Sequence, residues 1–154
     1  MAETARLSDL NDEEHFTDLF TAARVEAATR KGFKLWDQID SVGDVPATAF
    51  HEFMSNARKE IVLGEYDSYP LGYMLLELVT IGPDIATNIH EVFVHIDARE
   101  VGIGEAIMNF AIDWSRANGS SLLIGRTFPG DRATKNYFER FHITARLIEV
   151  SKQL

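Results

Sequence analysis

Between residues 12 and 30 the apolar positions Phe16, Leu19, Phe20, Ala23 and Ala27 recur three and four apart, which places them on one side of a helix. Asn11 and Glu14 have the spacing of a capping box, setting its start near Asp12, and Gly32 ends it. Gly43 and Asp44 ahead of Pro46 mark a turn. Phe50, Phe53 and Met54 then share one face of a shorter helix over residues 47–57. From residue 60 the period shortens. Residues 61–66 and 71–81 predict two strands of a hairpin turning at Ser68-Tyr69-Pro70, and Gly82-Pro83-Asp84 breaks the second. Residues 88–95 predict another strand, joined by residues 4–7 if that stretch pairs as well. Ile103, Ile107, Phe110, Ala111 and Trp114 mark an amphipathic helix that stops at Asn118-Gly119. Residues 122–125 predict a short buried strand, Asp131 an N-cap for a last helix reaching about Arg140, and residues 145–151 a closing strand. The predicted order is βααβββαβαβ, an α/β or α+β sandwich in one domain over residues 1–154.

Composition narrows the chemistry. The chain has 154 residues, 45% of them hydrophobic, enough for a sizeable core, and no cysteine. Disulfides, thiolate nucleophiles and cysteine-ligated metal are therefore excluded. His15, His51 and His95 lack ligand-like neighbours, so no metal site is expected. A net charge of −9 argues against phosphate-backbone binding to nucleic acid, and no apolar run approaches the roughly 18 residues that span a bilayer. With no basic-then-apolar leader, a cytoplasmic location is the default expectation. The acidic surplus suits a basic small molecule.

The segment richest in chemistry is residues 94–104, a strand running into Arg99-Glu100-Val101-Gly102-Ile103-Gly104 and then a helix. A helix N-terminus presents unpaired N–H groups and a positive dipole end, and glycines let phosphate oxygens approach them. Such a turn is a plausible pyrophosphate cradle; a tight turn with no ligand is the competing reading. Two phosphate motifs fail. Ile107 stands where a dinucleotide fingerprint needs its third glycine, and Gly-Lys-Ser/Thr is absent.

Residues 99–104 match each fixed position of Gln/Arg-x-x-Gly-x-Gly/Ala, and so resemble the acyl-coenzyme-A loop of the GNAT N-acetyltransferase superfamily. The order of elements agrees over about the whole chain, most strongly over residues 88–143. The resemblance implies a mixed, splayed β-sheet flanked by helices and acetyl-CoA as co-substrate. It implies that backbone amides of Val101, Gly102, Ile103 and Gly104, with Arg99, Glu100 and Glu105, hold the pyrophosphate. Phe93 and Val94 would pair with the pantetheine arm, and Asp131, Lys135 and Phe138 on the last helix would complete the coenzyme site.

Acetyl transfer needs a base for the acceptor amine and an acid for the thiolate. Two-residue alternation puts Asn88 and His90 on one strand face and Glu91 on the other. His90 is the first candidate base and Glu91 the second, against structural and ion-paired alternatives. The resemblance sets Phe138 where a catalytic tyrosine stands, and a phenyl ring donates no proton. Water, or Tyr137 one residue away, then has to supply it. The expected function is transfer of an acetyl group to a primary amine of a small molecule or peptide, with Trp36 lining the acceptor pocket from a loop. A non-catalytic acyl-CoA-binding module is the alternative. Only one strand follows the last helix, so an open sheet edge and a homodimer covering it are expected.

Overall fold

The computed structural model describes residues 2–154. Five strands form one sheet in the order β1-β2-β3-β4-β5: β1 Glu3–Leu7, β2 Lys59–Tyr66, β3 Tyr69–Ile81, β4 Asp84–Val94 and β5 Leu122–Gly125. The first four pair antiparallel and β5 runs parallel to β4. Helices α1 Glu13–Ala27, α2 Phe33–Ile39 and α3 Pro46–Ser55 intervene between β1 and β2, α4 Ile103–Ala117 joins β4 to β5, and α5 Arg132–Arg140 follows. This is the mixed sheet flanked by helices that the resemblance implies.

Strand alternation divides the core in two. Ile61, Leu63, Tyr73 and Leu75 meet Phe16, Phe20, Phe50 and Phe53 of α1 and α3 on one face. Val62, Met74, Leu76 and Ile89 meet Ile103, Ile107, Met108 and Ala111 of α4, with Tyr137 and Phe138 of α5, on the other. Gly64 faces Gly72 across β2 and β3. A Cβ at Gly64 would lie 2.6 Å from Ile103 Cγ2, so the missing side chain lets α4 sit directly on the strands.

Several boundaries differ from the sequence reading. The capping box is formed by Asp9 and Asp12 around a 3-10 turn, Leu10–Asp12, rather than by Asn11 and Glu14. Asp12 is held there by a bidentate pair with Arg6 of β1, 2.8 Å for each bond, which no local pattern reveals. The hairpin turns at Asp67-Ser68, both with positive φ, one residue earlier than expected. Gly82-Pro83 is a tight turn between paired strands, since Ile81 faces Asp84. The stretch after Gly32 forms α2, nucleated by Phe33 and Trp36 packing on Phe128. β5 is half-exposed rather than buried, with Leu122 at 50%.

Residues 145–151 form no strand, and Leu147, Ile148 and Val150 stand in solvent. Their alternation expresses a preference that only a pairing neighbour realises. No helix among the described residues is long and apolar enough to cross a membrane.

Candidate active site

The site begins with an irregularity in β4. Leu75 pairs with Glu91 and Leu76 with Ile89, so His90 is the extra residue of a β-bulge. Ile89 stays on the α4 face. His90 and Glu91 both turn to the α1–α3 side, where the His90 ring lies edge-on to Phe53, centroids 5.6 Å apart, and Glu91 meets Arg24 of α1. The expected alternation, with Glu91 opposite His90, is thereby corrected.

Beyond the bulge the sheet splays. Parallel pairing of β4 with β5 ends at Ile89 and Gly125, while β4 continues to Val94 against β3 alone. A cavity of about 380 Å³ opens alongside, lined by α1, the free side of β4, the glycine turn and residues 126–134. Past Ile89 that side of β4 has no strand partner, so its backbone groups other than the Val94 carbonyl, which accepts from Arg99, are available to an extended amide-bearing ligand.

At one end of the cavity Gly102, with φ +87°, caps α4 without a side-chain bond to its first turn. The leading N–H groups of α4 are therefore free for an anion. Gly104 serves a different need. A Cβ there would lie 3.0 Å from Tyr137 Cε1, and the Tyr137 hydroxyl donates to the Gly104 carbonyl at 2.6 Å. Burial pushes that hydroxyl's pKa well up.

Four charges link the cavity's walls. Arg99 donates from Nε to the Val94 carbonyl at 2.9 Å and from Nη2 to Glu26 at 2.5 Å. Glu26 also accepts from Arg30 at 2.7 Å, and Arg30 reaches Asp131 at 2.9 Å. Asp131 in turn caps α5 through Thr134. Burial pushes the Glu26 carboxyl up, but the hydrogen bond and charge of Arg99, with Arg30 behind it, outweigh this and hold it below its ordinary value.

The two candidate bases have different surroundings. Glu91 accepts two bonds from Arg24, at 2.8 and 3.0 Å, and a third from the Tyr73 hydroxyl at 2.5 Å. Burial, then the adjacent Glu91, keeps Tyr73 protonated with a pKa far above the usual phenol value. Arg24 also donates to the Gly43 carbonyl and lies 4.0 Å from the Phe20 ring centroid. With its lone pairs so engaged, Glu91 ties β4 to α1 through Arg24, which in turn holds the 41–43 loop. His90 is less committed. Its Nε2 lies 2.8 Å from Glu77 Oε1, and its Nδ1 is buried with no partner. A carboxylate only accepts, so in the neutral ring Nε2 carries the proton and Nδ1 keeps a lone pair; Asn88 Nδ2 also lies 3.5 Å from Nε2.

The structure gathers His90, Glu91, Phe93, Val94, Arg99, Glu100, Gly102, Gly104, Glu105, Asp131 and Tyr137 around the one cavity. Val101 and Ile103, expected to contribute backbone amides, lie in the same turn, the Val101 side chain exposed and the Ile103 side chain buried against the sheet at the start of α4. Two expected positions stand apart. Lys135 faces solvent. Phe138 is buried in the α4-side core, where a Cβ on Gly125 would come within 3.3 Å of its ring. Tyr137, not Phe138, is the α5 aromatic that faces the cavity. Trp36 lines it too, from α2 rather than a loop. Arg24, Tyr73, Glu77 and Thr127 escaped the sequence reading. For Arg24, Tyr73 and Glu77 the one signal was polarity at positions whose helix or strand neighbours are apolar, and their partners emerge only from the register; Thr127, in the loop after β5, gave none.

A family model described as the acetyltransferase (GNAT) family matches residues 14–143. The chain belongs to this family. Curated proteins give no match. Among solved structures, this GNAT acetyltransferase is similar to a ribosomal-protein-alanine N-acetyltransferase from Brucella melitensis biovar Abortus 2308. That pair has 18% identity, a TM-score of 0.73 and coverage of 100% of this chain and 99% of the other. A glucosamine-6-phosphate N-acetyltransferase from Arabidopsis thaliana has 18% identity, a TM-score of 0.69 and 99% coverage of both chains. The aminoglycoside acetyltransferase AAC(6')-Iy, solved with the bisubstrate analogue CoA-S-monomethyl-acetylneamine, has 12% identity, a TM-score of 0.72 and 100% coverage of both. At these identities the shared property is the fold.

Proposed function

We propose that the chain transfers the acetyl group of acetyl-CoA to a primary amine by direct attack. One observation carries this reading: the open N-terminus of α4, the unpaired side of β4 and the His90–Glu77 pair line or adjoin one cavity. The coenzyme complex of AAC(6')-Iy, with the same fold, supports it.

The residues present fit acetyl-CoA. The first-turn N–H groups after Gly102 would hold the diphosphate, and the backbone of Phe93 and Val94 would take the amide-bearing arm, the Val94 carbonyl becoming available when Arg99 Nε releases it and turns toward the diphosphate. Bound there, acetyl-CoA supplies an activated thioester. His90 Nδ1 removes the proton of the attacking amine, directly or through a water, while the Glu77 carboxylate holds Nε2–H and stabilises the imidazolium. Glu91 positions the strand and takes no proton. Tyr137 gives a proton to the thiolate only by releasing the Gly104 carbonyl, so water is the simpler donor. The free outer edge of β5 supports a homodimer that covers it; light scattering at twice the chain mass supports that assembly and at the single mass rejects it.

The test is release of free thiol from acetyl-CoA over a panel of amino acids, peptides, polyamines and aminoglycosides, with coenzyme binding followed by thermal shift. Amine-dependent release above hydrolysis is expected. Binding without release from any amine overturns the transfer, and no shift with acetyl-CoA overturns the coenzyme site as well.

A further inference from the structure

Arg99 is held twice in the free protein, by the Val94 carbonyl through Nε and by Glu26 of α1 through Nη2, and all three residues lie on the cavity wall. That carbonyl has a particular place. The N–H of His95, just past β4, donates to Leu71 of β3 at 2.7 Å. Alternation along an antiparallel ladder then turns the N–H and C=O of Val94 away from β3, to the side where β4 has no neighbour. Val94 is also the last residue of β4 before the glycine turn. An extended arm running along this edge toward the first turn of α4 meets an acceptor that is already taken.

The charges around it are engaged in the same way. Arg24, Arg30, Arg99 and Arg126 line the cavity, and each is in an ion pair. Glu100 and Glu105 line it too and, among the described residues, have no cationic partner; Arg140 is the one wall arginine without a carboxylate. A polyanion entering this cavity gains little positive charge unless a paired arginine changes partner. Arg99 can do so at small cost. The other oxygen of Glu26 accepts from Arg30 at 2.7 Å, so losing Arg99 leaves that carboxylate with a cation. Arg30 in turn keeps Asp131 at 2.9 Å.

From this geometry we infer that Glu26 is a positioning residue that sets the specificity for the acyl donor: it holds Arg99 where a diphosphate would, and exchange of one anion for the other frees the Val94 carbonyl. This role rests on the acetyl-CoA reading above and adds a dependence between the two halves of the coenzyme site. One planar guanidinium carries both donors, so Arg99 cannot turn its Nη2 from Glu26 to a phosphate and keep Nε on Val94. Phosphate recognition and pairing of the arm with β4 become a single step. A thioester ending at pantetheine brings no anion to draw Arg99 away and finds the carbonyl closed. Glu26 thus favours donors that carry a diphosphate.

Calorimetric titration of acetyl-CoA and of S-acetylpantetheine, which lacks the diphosphate, tests this in the wild type, Glu26→Gln and Arg99→Met. Glu26→Gln should bind acetyl-CoA about fivefold more tightly, the scale of one part-exposed ion pair, with S-acetylpantetheine within about twofold of the wild type. Arg99→Met should reverse the pattern, weakening acetyl-CoA while S-acetylpantetheine gains about fivefold from the freed carbonyl. The wild type alone gives a third reading. Inorganic pyrophosphate should raise its affinity for S-acetylpantetheine about fivefold, and S-acetylpantetheine should raise that for pyrophosphate by the same factor. A bridge that only braces α1 against the turn predicts weaker acetyl-CoA binding in Glu26→Gln. That result, unchanged affinities in both variants, or pyrophosphate without effect on S-acetylpantetheine overturns the role of Glu26 and leaves the coenzyme site standing. Failure of the folded wild type to bind acetyl-CoA overturns the site itself.

Discussion

The two ends of the cavity are built on opposite principles. The end proposed for the coenzyme is local: within ten residues, from Val94 to Ile103, β4 gives way to Arg99, then Gly102 at positive φ, then the uncapped first turn of α4. The acceptor end is assembled from afar. Arg24 meets Glu91 across 67 positions, His90 meets Glu77 across 13, and Trp36 and Phe128 close the wall from separate elements. A cradle for an invariant diphosphate can be written in a short motif, because backbone N–H groups do the binding. A pocket that selects one amine depends on side chains whose neighbours are fixed by register, and a single bulge decides which of them face it.

The sharpest way to break this contrast is at the local end. Gly102→Asp places a carboxylate beside the diphosphate and puts a side chain at a φ that L-residues rarely adopt. Calorimetric titration should show at least a hundredfold loss of acetyl-CoA affinity, and retention of affinity would remove the α4 terminus from the site.

At the assembled end the same logic predicts a loss of stability. Arg24→Met leaves the Glu91 carboxylate buried with Tyr73 alone, the side chains of the pair being only 12% and 9% exposed. Urea unfolding should show a drop of about 3–5 kcal/mol. A drop below about 1 kcal/mol would mean that Glu91 is free enough to act as a base.

How much of this was legible follows from the same division. Among the described residues, period and turn signals located every strand and α-helix but α2, β1 only conditionally, and the Gly102–Gly104 turn pointed to the α4 terminus proposed to hold the coenzyme. α2 escaped because seven residues make too short a period; it is stabilised by Trp36 and Phe33 packing on Phe128, nearly a hundred residues away in sequence. Glu91 was set on the wrong face because alternation assumes an unbroken ladder, and nothing in residues 88–91 announces that β4 carries one residue more than β3 there. Phe138 was set against the coenzyme by a motif match, but on α5 its side chain packs over Gly125 while Tyr137 takes the cavity side.

Two smaller effects refine the boundary between the ends. Tyr137→Phe removes the bond to the Gly104 carbonyl and should cost about 1 kcal/mol in denaturant unfolding, with kcat within about threefold of the wild type. A hundredfold fall in kcat would make Tyr137 the thiolate's acid. The pH dependence of stability should report Glu26, whose folded pKa lies below its ordinary value beside Arg99 and Arg30. Its contribution is present above the unfolded pKa near ~4.3 and is lost as pH falls through the folded one. Glu26→Gln should therefore flatten the acid limb of a Tm–pH curve, and an unchanged slope would show that the bridge adds nothing to stability.

The most direct test pairs two readings on one variant, His90→Ala: amine-dependent thiol release and acetyl-CoA affinity. An oriented base beside a separate coenzyme cradle predicts that turnover falls by about 10²–10⁴ while affinity holds within twofold. Unchanged turnover, or turnover and affinity lost together, contradicts it.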